Sequence, residues 1–547
     1  MKNKFKYIAA ALATVALASG CADLDTEYQG DYISSDQSQD VMEKDPDQIV
    51  AGVTSILSNF NTFQTVYAQH FDFGYPALML GFDLQTADLF GAQSGYNWFT
   101  YWEGFTSPTP TGVPTNMCWD TMYKQIKTAN DQLRVLPEDS DDPNMGFYRA
   151  QAFAVRAFDY WVLAQVYQFN YQLNPDAPCV PIITDKNDSE VEANGAPRAT
   201  VQAVYDQIMS DLNTAVELLA ASPVKPENVI ASKPKRLVSL AVAYGLRARA
   251  NLSMGKYADA LNDAKAAIKN HNGAAYSRDQ VARPGFNKID DAAWMWGIAI
   301  AETDRVVTSG IVNFPSQMCT FFDGYTSVGA WRFCAKDLFD AINSSDVRKG
   351  WFLNSSKQSP NLSAEQKAYL KPFADMDETY YSSSNAALFP YTNVKFGTYN
   401  DELPGTLAVC DIPLMRVEEM YLIQAEAEAM SGNFQTGKET LEKFIKSHRD
   451  PKYVCDARDA QGVQEAVFLQ KRIELWGEGL VYFDYMRLNK PVDRRRARAP
   501  YSFTYNIAAG SPQLIYCIPD GEITTNRAIS DADNNPTSSR PTAVDWE

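Results

Sequence analysis

The sequence predicts a mostly α protein built on antiparallel helix pairs, with a large irregular insert. Three observations carry this. Apolar residues recur at helical spacing over long stretches, and two helix–turn–helix units resemble each other. Between those units, over residues 272–414, the periodicity fades and Gly, Pro, Ser, Asn and aromatics take over.

Helical spacing begins near Pro46 and returns in Trp119–Pro137. It is strongest in Gly146–Phe169, where Phe147, Ala150, Ala154, Ala157, Trp161, Ala164 and Val166 trace one apolar stripe. Thr200 is placed to cap a helix running to Leu219, because its hydroxyl can accept from a free N–H of the first turn. The clearest unit joins RLVSLAVAYGLRARANLSM to YADALNDAKAAIKN through Gly255-Lys256. Ala248, Ala260 and Ala267, with Gly255 and Tyr257 at the turn, fit the tetratricopeptide pattern of two helices packed through small side chains. MRVEEMYLIQAEAEAM and QTGKETLEKFIKS repeat the unit around SGNF, with Gly432 and Phe434 at the turn and Gly437 where an Ala is expected. Helix pairs are therefore expected over about 146–270 and 415–490, with the insert of 272–414 supplying loops, short strands and the binding side.

The N-terminus sets the compartment. Lys2, Lys4 and Lys6 precede an apolar run from Tyr7 to Ala18, long enough for a signal-peptide core and too short to span a bilayer. Ala18, Ser19 and Gly20 then lead into Cys21 in a way that resembles a bacterial lipobox, with Ala18 where Leu is usual. Residues 1–20 are expected to be a lipoprotein signal peptide and Cys21 the lipid attachment, with an ordinary secretory signal as the alternative; both send the chain out of the cytoplasm. Residues 21–45 are polar and acidic and read as a flexible tether, and 46–547 as a single domain. No later run is apolar and long enough to span a membrane as a helix.

A net charge of −18 argues against nucleic acid as partner. Seven cysteines besides Cys21 are spread thinly, without a CxxC pair, and leave room for one or two disulfides that spacing cannot assign. The three His residues have no metal-ligand spacing, and neither a GxSxG elbow nor a GxxxxGK[ST] loop occurs, so no cofactor or metal is expected. DADNN (Asp531–Asn535) starts like a calcium loop but lacks the Gly and Glu that must follow. The basic run Arg487–Pro500 reads as a solvated loop or a contact for an acidic partner or lipid headgroups.

Two C-terminal segments carry a specific resemblance. PLMRVEEMYLIQAEAEAMSGN holds Arg416, Glu419 and Glu426, and KRIELWGEGLVYFDYMRLNKP holds Arg472, Glu474, Glu478, Asp484 and Arg487. Together with RAFDYWVLAQVYQFN, PIITD, YDQIMSDLNTAVELL and IPDGEITTN in order, they resemble the SusD/RagB-like family of Bacteroidetes outer-membrane nutrient-binding lipoproteins. Leu480-Val481-Tyr482 before the FD pair departs from the family pattern, so the chain reads as a divergent member. Asp23, Asp25 and Glu27 resemble the acidic export signals of surface lipoproteins in that phylum. The resemblance implies a surface-exposed, lipid-anchored protein of the outer membrane. Such a protein is a non-catalytic lid on a SusC-like TonB-dependent transporter and delivers oligosaccharide or, in the RagB-like part of the family, oligopeptide. A secreted hydrolase is the least supported alternative.

Arg416, Glu419, Arg472, Glu474, Glu478, Asp484 and Arg487 are expected to form a structural ion network, because buried charges must be paired. Glu474 and Glu478, four apart, are expected on one helix face. Sugar capture needs flat apolar faces and amide or guanidinium groups for hydroxyls. Candidate ligand residues are therefore Tyr96, Asn97, Trp98, Tyr101 and Trp102, then Tyr325, Trp331, Arg332, Tyr380 and Tyr381 in the insert. Trp98 and Trp102 read equally as one buried helix face, and Trp294 and Trp296 as a core strand.

Overall fold

The structure, a computed structural model, describes residues 46–92, 94–140, 142–377, 386–495 and 503–544. Cys21, the tether and Tyr380–Tyr381 lie outside them. The chain divides into two compact units, residues 1–49 and 50–547, and the second holds the core and the site.

Helix α1 (Pro46–Ser58) and α2 (Tyr75–Leu84) precede a short strand β1 (Leu89–Gly91). The long helices α3 (Val113–Val135), α4 (Pro143–Val166) and α5 (Val201–Ala221) then pack side by side. Asp142 caps α4 by accepting from Asn144 N–H, and Thr200, as the sequence predicts, caps α5 by accepting from Ala203 N–H at 3.1 Å. After two short helical turns (Pro226–Val229 and Pro234–Arg236) comes the pair α6 (Leu240–Ser253) and α7 (Tyr257–Asn270). Its counterpart is α8 (Val417–Met430) and α9 (Phe434–His448), which packs on α10 (Ala460–Glu474). Gly437 replaces the expected Ala because a Cβ there would come within 2.4 Å of the Ala425 carbonyl; α9 approaches α8 too closely for one. A satellite core of Leu422, Ala425, Ala429, Leu441, Phe444, Ile445, Val463 and Val467 fills these three helices.

The insert contributes two short strands to two-stranded antiparallel sheets. Strand β2 (Trp294–Ile298) pairs with β4 (Ile412–Arg416), just before α8, and β3 (Arg332–Cys334) pairs with β1 in the register Leu89↔Cys334, Gly91↔Arg332. Trp294 and Trp296 are fully buried, as a core strand requires. The seven described cysteines are buried free thiols, so the disulfides left open by the sequence are not formed. Among the described residues no helix is long and apolar enough to cross a membrane.

The charged motif residues sit in several clusters. Glu474 ends α10, and the turn through Gly477 (φ +78°) and Gly479 (φ +71°) folds Glu478 back beside it. The two carboxylates therefore meet across a turn, which corrects the expectation of a shared helix face. Gly479 is needed there because a Cβ would lie 2.4 Å from Met79 on α2. Arg416 reaches Glu474 at 3.0 Å and Glu478 at 2.8 Å, Arg449 reaches Glu474 at 2.7 Å, and Lys395 reaches Glu478 at 2.6 Å. Arg348 and Glu418 complete the cluster. Glu419 pairs elsewhere, with Arg249, while Arg472 grips Asp88 and Arg487 joins Asp484 to Glu426. Burial alone would raise the Glu474 carboxyl, but the guanidinium groups of Arg449, Arg416 and Arg348 hold it well below the usual range.

Other buried carboxyls are held the other way, Asp83 among them. Desolvation lifts Asp83 to about 7, against opposing bonds from the N–H groups of Gly479 and Gly477. The folded state therefore keeps a proton that the unfolded chain releases above about pH 4. This group's contribution to stability is complete below that pH, falls as pH rises toward 7, and is constant above. Asp83→Asn removes the titration, so the variant should gain on the parent by an amount on the order of a few kcal/mol between pH 5 and 8. Urea midpoints across that range check it, and a pH-independent gap would contradict it.

Candidate functional site

The predicted aromatic segment 94–103 is a tight loop that ends in a one-turn helix, Thr100–Glu103. Ser94 starts it by accepting from the N–H groups of Tyr96 (on Oγ, 3.1 Å) and Asn97 (on its carbonyl, 2.9 Å). Beneath the loop lies a buried polar frame. Asn97 Nδ2 donates to Glu103 Oε2 at 2.7 Å, and its Oδ1 accepts from Arg332 Nη1 at 3.1 Å. Glu103 Oε1 accepts from Gly91 N–H at 2.7 Å, tying the loop to β1, and Arg332 Nη2 donates to Gln317 at 2.9 Å. Burial pushes the Glu103 carboxyl up, and Arg494 and Arg332 pull it back.

Above this frame the aromatic rings gather. Tyr96 and Tyr101 are exposed at 40% and 42% of their surface, among the most exposed large hydrophobic side chains described. Tyr325, from the insert, lies 6.4 Å from both Tyr96 and Trp98. Burial raises its phenol to about 12, which keeps it a hydroxyl donor near neutral pH. The loop 62–72 completes the cluster: His70 stacks on Trp98 with 4.5 Å between ring centroids, and Phe71 meets Tyr101 edge-on at 5.7 Å. Asp72 latches that loop, its carboxylate accepting from the N–H groups of Val66 (2.8 Å) and Tyr67 (2.7 Å).

The structure thus joins Tyr96, Trp98, Tyr101 and Tyr325 from two distant stretches and changes the standing of the rest. Asn97 was expected to offer its amide to sugar hydroxyls, but both ends of that amide are taken by Glu103 and Arg332. Trp102 is fully buried against Gly81, Phe71 and Phe99, but the helix covers only Thr100–Glu103 and Trp98 stands half-buried in the turn before it, so the two do not form one buried helix face. Trp331 and Arg332 are also fully enclosed, because β3 pairs with β1 in the interior; Trp331 donates to the Ala387 carbonyl at 3.0 Å and packs on Phe373. These three present no face to solvent. His70 and Phe71 were not singled out by the sequence, although the aromatic-rich stretch that holds them, with Phe63, Tyr67, Phe73 and Tyr75, was a signal that could have found them. Among the described residues no three His, Cys, Asp or Glu side chains converge as metal ligands.

The fold and the sequence both find relatives. A profile described as "Starch-binding associating with outer membrane" matches residues 35–252, and one described as "SusD family" matches residues 325–536. The chain belongs to the SusD family. This SusD-like chain is similar to a SusD-like carbohydrate-binding protein from Bacteroides vulgatus, at 23% identity and a TM-score of 0.70 over 91% of this chain and 98% of that one. It also resembles the surface glycan-binding protein A of Bacteroides thetaiotaomicron, solved with laminarihexaose, at 17% identity and a TM-score of 0.62 over 88% and 98%. A SusD-like protein, P38, of Formosa agariphila is 22% identical over 407 residues, 70% of this chain and 74% of the relative. Two of these relatives are described as carbohydrate- or glycan-binding, and the mostly helical, tetratricopeptide-like architecture of this chain is that of its SusD relatives.

Proposed function

We propose that this SusD-like protein captures oligosaccharide at the outer membrane and passes it to a SusC-like TonB-dependent transporter, for which it acts as a lid. The observation that carries the capture step is the exposed pair Tyr96 and Tyr101, mounted on a buried polar frame and a latched loop. Phenol rings fixed in this way offer flat faces to the C–H side of a sugar at little cost in side-chain entropy, and their hydroxyls remain free to bond its hydroxyls. The family, the outer-membrane description of the matching profile, and the lipobox-like Cys21 support the location and the partner.

No bond is made or broken in this account. The carboxylates nearest to an acid–base pair, Glu474 and Glu478, are buried and each gripped by at least two cations, so neither is poised to move a proton. Co-purification from outer membranes tests the partner: the lipidated chain should bring down a transporter barrel, and Cys21→Ala should lose it to the soluble fraction. A chain recovered alone from membranes would overturn the lid role.

A further inference from the structure

His70 does something that the glycan reading does not require. Its imidazole lies nearly parallel to the Trp98 indole, 22° between planes, at a centroid separation of 4.5 Å. That is the space a stacked pyranose would need, so this face of the most obvious sugar platform is already filled by the protein. The same ring hydrogen-bonds through Nδ1 to the Tyr325 hydroxyl, and Tyr325 in turn borders Tyr96. The next residue, Phe71, sits edge-on against Tyr101 and Trp102. Two adjacent side chains of loop 62–72 therefore buttress both exposed tyrosines, one through Tyr325 and one directly.

We propose that His70 is a positioning residue that fills one face of Trp98 and fixes Tyr325, so that Tyr96 and Tyr101, and not Trp98, are the rings that stack on a glycan. This rests on the glycan reading and sharpens it. The site becomes a ridge of two phenols with hydroxyl edges, suited to a polyhydroxylated chain lying across it. A single indole shelf would serve a lone sugar ring instead.

Two measurements test it. Without any ligand, acrylamide quenching of tryptophan fluorescence should rise in His70→Ala, and the increase should vanish when Trp98 is also changed to Phe; unchanged quenching would overturn the coverage of Trp98. Calorimetry with laminarihexaose, maltohexaose and cellohexaose then reads the role. His70→Ala should weaken the glycan bound by the parent about tenfold, from one lost ring contact and one lost hydrogen bond. His70→Phe, which keeps the ring over Trp98, should recover much of that loss. Tighter binding in His70→Ala would show that His70 competes with the sugar for Trp98, and would overturn the proposal while leaving the glycan reading intact. A parent that binds none of the three sugars would overturn the glycan reading and the proposal with it.

Discussion

Replacing Glu474 with Gln is expected to cost about 3–5 kcal/mol of folding stability. Its two oxygens receive Arg449, Arg416 and Arg348 in a cluster with no solvent exposure. Removing the carboxylate leaves buried guanidinium groups without their counter-charge, and water cannot reach them to compensate. The cluster also joins distant parts of the chain, since Arg348 and Lys395 come from the insert, Arg416 from the end of β4, Arg449 from the loop after α9 and Glu474 from α10. Its loss should therefore lower the urea midpoint of the whole unit, and for a protein of ordinary stability it can prevent folding altogether. A midpoint within error of the parent would contradict the structural role. Acid should act on the same cluster. Because Glu474 is held well below its ordinary range, its stabilisation is present above the unfolded value and is lost only as pH falls toward the folded one.

The second large effect is on binding. Tyr96→Ala with Tyr101→Ala should lower glycan affinity roughly 30- to 150-fold, at about 1–1.5 kcal/mol for each stacking ring. Stability should stay within about 0.5 kcal/mol of the parent, because both side chains are exposed and neither closes the core. Trp331→Ala makes the contrast. That indole is fully buried, so its removal should cost about 3–5 kcal/mol of stability, as truncation of a core aromatic does. Calorimetry paired with thermal unfolding separates the two. Equal loss of binding in a fully folded Trp331→Ala protein would move the site away from the tyrosine ridge.

The scaffold was legible because its signals are local. The stripe from Phe147 to Val166, the Thr200 cap and the Gly255 turn each follow from side chains a few residues apart. The site was legible only in part because it is assembled from distant stretches. The aromatic run 96–102 draws attention by composition, yet which of its rings faces water depends on β1 pairing with β3, and no local pattern encodes that pairing. Pairing drew Trp331 and Arg332 inward and left Tyr325 beside Tyr96. The ion pairs show the same division. The motif named Arg416, Glu474 and Glu478, whereas Arg348, Lys395 and Arg449 came from segments that carried no such signal.

The central claim is that the exposed tyrosine ridge binds oligosaccharide, and titration calorimetry of the protein lacking residues 1–21 tests it most directly. Hexasaccharides of β-1,3-, β-1,4- and α-1,4-linked glucose, with mixed oligopeptides as a second panel, should give heat with a glycan, and that heat should disappear in the Tyr96→Ala, Tyr101→Ala protein. Binding to the peptides alone, or glycan binding that survives the double change, would contradict it.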